Sequence, residues 1–308
     1  MNLSNFLYRQ KQKIKYHLAK DEISQLVAEI NRFEELILLG ENRFKLKSVN
    51  IEFPNKYLFL LRRYNDLVFL IWQRNSYFEV RETDLIYNTN NLKLSVKTAE
   101  ELFIIKEVYF NQIYNIKLSK HFNLIDVGMN VGFTSLYFAH RDDVRKIYSY
   151  EPFGTTFQDA QRNFELNQSI QSKIQSQNIG LGLENEEIQV NYSKDLKGKN
   201  TSKFNRDNLN KNFDSFTTIK IVNGRDEIEK ITSSKSHENF VVKLDCEGAE
   251  FDIFRSFGEN RFPDNIDAFM IEWHKNEPDA LIEKLLNDNF KVHCTSESKD
   301  IGFILAIR

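Results

Sequence analysis

Residues 124–139, LIDVGMNVGFTSLYFA, join a short apolar run to two glycines and then to an amphipathic segment. An apolar run too short for a helix, followed at once by glycines and a helical pattern, is a β-strand passing into an α-helix through a tight loop. Gly128 and Gly132 let the backbone turn sharply and approach a ligand, and the next helix offers unpaired N–H groups with a positive dipole end. The loop is therefore a candidate ligand cradle.

Outward from this loop, short apolar runs alternate with helical segments from about residue 100 onward, the pattern of βαβ units and a parallel sheet. Strands are predicted at 124–128, 146–151, 174–180, 240–245 and 268–273. Helices are predicted over Thr134–Ala139, after a Thr155/Gln158 capping box, and over Asp279–Asn287. The runs FKVHCTS and GFILAI, separated only by the turn ESKD, must pair antiparallel. The expected fold class is α/β, a mainly parallel sheet finished by an antiparallel hairpin. Residues 193–216, dominated by Lys, Asn, Asp and Ser, read as a surface insertion, with a substrate-covering lid as the alternative.

The first hundred residues look different. Leu26, Val27, Ile30, Phe33, Leu36 and Ile37 recur at helical spacing from Asp21 to Gly40, and KYLFLLRRYNDLVFLIWQR with LKLSVK reads as a β-rich element that has Trp72 in its core. Arg9, Lys11, Lys13, Lys15 and Lys20 mark a basic amphipathic start that we read as a solvated helix or terminus.

The chain of 308 residues has a formal net charge of −2, 28% charged and 41% hydrophobic residues, which describes a globular protein without a basic field for nucleic acid. No secretory signal and no membrane-length apolar run is present, so a soluble cytoplasmic protein without stable membrane insertion is expected. Cys246 and Cys294 stand in apolar settings without metal-ligand spacing and read as core thiols.

In an open α/β sheet the ligand lies beyond the carboxyl ends of the strands, so the residues ending each strand carry the chemistry. They are Asp126 to Gly132, Glu151 to Phe153, Asn178 to Gly180, Lys243 to Gly248 and Glu272 to His274. A dinucleotide loop of the form GxGxxG needs its second glycine for the pyrophosphate, and Asn130 stands there instead. Asp126 would repel a pyrophosphate but suit an ammonium or sulfonium group. Glu151 can accept two hydrogen bonds from ribose hydroxyls, which fits NAD and S-adenosylmethionine equally.

The runs IDVGMNVGFTSLYFA, EPF, NIGL, VKLDCEGAEFDIF and MIEWH, in this order, resemble the FkbM-type class I S-adenosylmethionine-dependent methyltransferases over roughly residues 105–308. Met129 replaces the alanine usual in that family. The resemblance implies a Rossmann-like seven-stranded sheet with a terminal antiparallel hairpin, and a methyltransferase domain at 101–308 behind an accessory region at 1–100. It further implies S-adenosyl-L-methionine as cofactor. Asp126, Gly128, Asn130 and Gly132 would lie under its methionine moiety, Glu151 on the ribose, Phe153, Asn178 and Ile179 near the adenine, and Asp245 at its amino group or the substrate.

Methyl transfer is an in-line displacement, so the protein must align nucleophile, methyl and leaving sulfur and exclude water. A hydroxyl acceptor is helped by a base, and His274, with Asp245 and Glu272 as orienting or accepting carboxylates, is the candidate. Asp245, Glu247, Glu272 and His274 could gather around a divalent cation, though we expect no metal. The resemblance implies O-methylation of a sugar hydroxyl in a bacterial glycan or of a secondary metabolite. The partner is then a small-molecule or glycan acceptor, with the accessory region covering the acceptor or forming a homodimer contact. N- or C-methylation, a nicotinamide-dependent oxidoreductase, and a non-catalytic binding protein on the same fold remain as alternatives.

Overall fold

The computed structural model describes residues 36–39, 42–47, 51–81, 83–192 and 215–308. The predicted basic helix, most of the predicted helix Asp21–Gly40, and residues 193–214 of the predicted insertion lie outside these. The chain divides into two compact units, Met1–Phe110 and Asn111–Arg308.

In the first unit, Leu36–Leu39, Arg43–Leu46 and Ile51–Pro54 form one three-stranded sheet, and Ser76–Val80, Leu85–Thr89 and Leu92–Ser95 form another. Two expectations fail in this unit. Leu36–Leu39 is not a helix end but a strand, each residue paired with one of Arg43–Leu46. The apolar residues suit either state, and an available partner strand decides between them. The run expected to be β-rich is instead a 3-10 helix, Asn55–Arg63, and an α-helix, Tyr64–Ile71. Its buried Tyr57, Leu60, Leu61, Leu67 and Leu70 fall on helical spacing, which overrides the strand preference of its aromatic residues. Trp72, expected in the core, follows the helix and is 67% exposed.

The second unit carries the sheet. Strands β1 (Phe122–Val127), β2 (Val144–Tyr150), β3 (Ile174–Gln177), β4 (Asn239–Leu244), β5 (Ile266–His274), β6 (Lys291–Ser298) and β7 (Ile301–Ile307) stand in the order β6-β7-β5-β4-β1-β2-β3. Strands β1 to β5 are parallel, and β7 is antiparallel to both β5 and β6. The mostly parallel sheet and its terminal hairpin are those read from the sequence. The chain leaves β1 toward β2 and β3 and later returns to β4 on the other side, so a switch point opens between the carboxyl ends of β1 and β4.

The helices are α1 (Phe133–Ala139), α2 (Gly154–Glu165), α3 (Gly224–Ser233), α4 (Glu250–Phe257) and α5 (Asp279–Asn287). Helix α2 does not use the expected Thr155/Gln158 box: the Phe157 N–H closes on the Phe153 carbonyl at 2.8 Å, so the helix begins ahead of Thr155. The third predicted strand also breaks. β3 ends at Gln177, and Gly180–Gly182 joins a separate small sheet with Ser215–Asn223 and Glu186–Tyr192.

Every residue of β1 is buried, and all of β4 after Asn239, as in a sheet covered on both faces. Phe240, Val242 and Leu244 are closed from solvent, each stabilising the fold by about 2 kcal/mol. Cys246 and Cys294 are free thiols, partly buried against this core. Among the described residues no helix is long and apolar enough to cross a membrane. Buried among the apolar residues are two charges, Asp126 on β1 and Lys243 on β4.

Candidate active site

The glycine loop is set by main-chain geometry. Gly128 has φ +78°, and a Cβ there would stand 1.8 Å from the Asp245 carbonyl oxygen, so the loop packs directly on the end of β4. Gly132 has φ +83°, and a Cβ there would meet the Phe164 ring at 2.6 Å. The N–H groups of Gly128 and Met129 both donate to the Tyr150 carbonyl at 3.0 Å, tying the loop to β2. Met129 is buried, 1% exposed.

Glu151, at the end of β2, accepts from the Asn130 N–H at 3.1 Å with one oxygen and from the Phe153 N–H at 3.0 Å with the other. Burial pushes its carboxyl up to about 7 in spite of those donors. Asn178 donates to the Glu151 and Pro152 carbonyls at 2.8 and 3.1 Å and so fixes this corner. The Phe153 side chain packs with Val190, Ile219 and Ile221, and Ile179 packs against the main core.

Asp126 is fully buried; Ser135 donates to it at 2.6 Å and the Lys243 ammonium lies 3.1 Å away. Its carboxylate is thus partnered by a hydroxyl and an ammonium. Lys243 also donates to the Gly128 carbonyl at 2.8 Å and reaches Asp245 at 3.5 Å. Burial alone would lower this ammonium, but Asp126 and Asp245 raise it above its ordinary value, so it is a cation at any physiological pH.

At the carboxyl ends of β4 and β5 the expected residues converge. The Tyr114 hydroxyl stands 3.1 Å from both Asp245 and Glu272, and its ring lies under the Lys243 ammonium at 5.5 Å. Burial and then Asp245 raise the Glu272 carboxyl. Burial, followed by repulsion from the two carboxylates, lifts the Tyr114 hydroxyl well above its ordinary value. The Glu247 carboxyl is raised to about 7 by burial.

His274 stands between two carboxylates. Its Nδ1 is 3.0 Å from Glu250, and its Nε2 is 3.6 Å from Glu272. Glu250 is fully buried and also accepts from the Gly248 N–H at 2.8 Å and the Cys246 thiol at 3.4 Å. Burial would lower the imidazole, but the bonds to Glu250 and Glu272 overcome it and raise it to about 11. An imidazole held between Glu250 and Glu272 is favoured in its protonated form, with both ring nitrogens donating. Donor atoms of Asp245, Glu272 and His274 lie within 4.8 Å of one another, close enough for a divalent cation to bridge. The imidazolium and Lys243 already supply positive charge at that place.

Residues 126–292 match the Methyltransferase FkbM domain. The chain belongs to the FkbM methyltransferase family. Methyltransferase 1 of Beauveria bassiana (strain ARSEF 2860) is 26% identical over 216 residues, covering 65% of this chain and 82% of that relative. Methyltransferase sdnD of Sordaria araneosa is 23% identical over 221 residues, covering 63% and 83%. Among solved structures, the FkbM methyltransferase of Methylobacillus flagellatus KT superposes with TM-score 0.43 at 13% identity over 65% of this chain, which spans 47% of that one. TrmK of M. capricolum, solved with S-adenosyl-homocysteine, gives TM-score 0.36 at 10% identity over 64% and 66%. The protein is a methyltransferase.

Two residues of the candidate site, Glu250 and Tyr114, escaped the sequence reading, and Lys243 stood among the strand-end residues without a role of its own. Lys243 carried a signal, a lone charge in the apolar run FVVKL, since a buried charge must be paired. The full burial of Glu250 could not be seen from its position at the start of α4. Tyr114, on an irregular segment far from β4 and β5 in sequence, carried no signal.

Proposed function

We propose that this FkbM methyltransferase uses S-adenosylmethionine to methylate a hydroxyl of a sugar in a glycan or of a secondary metabolite, in the cytoplasm. One arrangement carries the reading: the glycine loop and Glu151 at the switch point adjoin two carboxylates gathered around a single hydroxyl. The two free, half-buried thiols suit a reducing compartment.

The residues fit the cofactor. Asn130 carries φ +52°, and its buried side-chain oxygen has no hydrogen-bond partner, an acceptor suited to a ligand N–H or O–H. Glu151 stands at the strand end from which an acid reaches a ribose, and the loop leaves no middle glycine for a pyrophosphate. Asn130 and Glu151 would hold the cofactor, with the backbone from Gly128 to Gly132 beneath it. When bound, the cofactor supplies an electrophilic methyl group on a sulfonium.

The chain's own residues do the rest. Asp245 and Glu272 can accept the acceptor hydroxyl's hydrogen bond and take its proton, because both are carboxylates at the partly exposed mouth. His274, fixed by Glu250, holds Glu272 in place and offsets its charge. Lys243 keeps Asp245 aimed against the loop.

The test is a screen of hydroxylated sugars and small metabolites with labelled S-adenosylmethionine, each product read by mass spectrometry. Thermal shift with S-adenosylhomocysteine and with NAD runs in parallel. We expect stabilisation by S-adenosylhomocysteine and O-linked label. Stabilisation by NAD alone, or label only on nitrogen or carbon, would sink the proposal.

A further inference from the structure

The charges at the acceptor end are layered. Its two buried basic side chains are sealed in: the Lys243 side chain is 1% exposed and the His274 side chain 7%. Its carboxylates reach outward, Asp245 at 32% and Glu272 at 28% exposure, with Glu247 half-buried beside them. Lys275 is exposed next to His274, and its ammonium is drawn to the Glu247 carbonyl at 2.6 Å. Between Asp245 and Glu272 an incoming ligand therefore meets oxygen acceptors and negative charge, with Lys243 and His274 behind them and Lys275 turned to the Glu247 carbonyl.

These carboxylates already hold a neutral donor. The Tyr114 hydroxyl is 3.1 Å from each, yet its single proton can serve only one at a time. The other keeps acceptor capacity that a second donor can fill. A hydroxyl or ammonium does so, whereas a carboxylate or phosphate brings only lone pairs and like charge.

We infer that the methyl acceptor is uncharged or cationic at its reacting end and binds by donating hydrogen bonds to Asp245 and Glu272, and that acceptors with an acidic group beside the reacting atom are rejected. The acceptor class narrows to neutral polyols and amino-bearing hydroxyl compounds, and uronic acids or phosphorylated sugars methylated next to the acid fall outside it. This rests on the methyl-transfer reading above.

A cofactor analogue can carry the test charge to the place where methyl meets acceptor. Carboxy-S-adenosylmethionine bears a carboxylate on the transferable methyl carbon, and S-adenosylethionine bears a smaller, uncharged methyl there, so the variants separate the effect of charge from that of size. Calorimetric titration of the full chain with both analogues and with S-adenosylhomocysteine compares them, in wild type, Glu272→Gln and Asp245→Asn. The ethyl analogue should bind at least about tenfold more tightly than the carboxylated one, a gap that narrows severalfold in either variant. Equal or tighter binding of the carboxylated analogue overturns the inference, as does a gap that neither variant changes. Failure to bind S-adenosylhomocysteine at all defeats the methyl-transfer reading itself, so the two failures are told apart. Binding of S-adenosylhomocysteine by each variant also shows that it has folded.

Discussion

The end we propose for the cofactor and the end we propose for the acceptor are built by different means. The cofactor end is backbone: Gly128 and Met129 donate to the Tyr150 carbonyl, Asn130 donates to Glu151, and Gly132 turns the chain into α1 at φ +83°. The acceptor end is side chain, assembled from Tyr114, Asp245, Glu272 and His274 on distant segments. Lys243 joins them, holding the Gly128 carbonyl and Asp126 on one side and Asp245 on the other. A backbone site is intolerant at a few positions and indifferent at others. A side-chain site can change its acceptor chemistry without disturbing the fold that carries it.

That contrast breaks most visibly at Gly128. Gly128→Ala forces a Cβ to within 1.8 Å of the Asp245 carbonyl at a left-handed φ. We expect loss of S-adenosylhomocysteine binding in calorimetry and destabilisation by about 3 kcal/mol or more in denaturant melts. An Ala variant that binds normally would show that the loop does not rest on β4. Next in size is Lys243→Met, which strands the buried Asp126 carboxylate and should cost about 3–5 kcal/mol. Adding Asp126→Asn to it should restore part of that stability, because the uncompensated charge is gone. A double variant no better than Lys243→Met would remove the pairing from the account.

The same contrast explains what could be read in the sequence. Glycines at the end of an apolar run, an acid ending the next strand, and the motif KLDCEGAE prescribe a backbone path, so the loop, the sheet and its hairpin were legible. Convergence in space was not. That Glu250 lies fully buried against His274 depends on how α4 packs on β5, and this contact favours the protonated form of the residue expected as a base. In the first unit, the aromatic residues of 56–74 favoured strands in isolation, and only tertiary burial of Leu60, Leu61, Leu67 and Leu70 reveals a helix.

A crossed pair of variants sharpens the division between the ends. Glu151→Ala should weaken S-adenosylhomocysteine binding by about ten- to hundredfold, through lost acceptor bonds at the cofactor end. His274→Ala should leave that affinity nearly unchanged and lower turnover once an acceptor is found, because Glu272 loses its partner. The imidazolium itself can be seen by nitrogen NMR, with His274 still protonated at about pH 9. A His274 resonance that titrates near an ordinary histidine value would return the proton-accepting role to it.

The gentlest effect separates affinity from stability within a single residue. Glu151 titrates at about 7 in the fold, raised by burial from 4.5, so above about 7 it is a carboxylate and below it a weaker, neutral acceptor. Affinity for S-adenosylhomocysteine should therefore fall as pH drops through about 7, by at most about tenfold per pH unit. Stability moves the other way. Between 4.5 and about 7 the folded protein keeps a proton that the unfolded chain releases, so the stabilising contribution is complete at low pH and fades as pH rises through that window. Glu247, also raised to about 7, adds to this stability trend. From about pH 5.5 to about pH 8 the melting temperature should fall while cofactor affinity rises, and Glu151→Gln should flatten the affinity curve and part of the melting curve. Parallel curves in wild type, or an affinity slope that survives Glu151→Gln, would place the titrating group elsewhere than at the cofactor end.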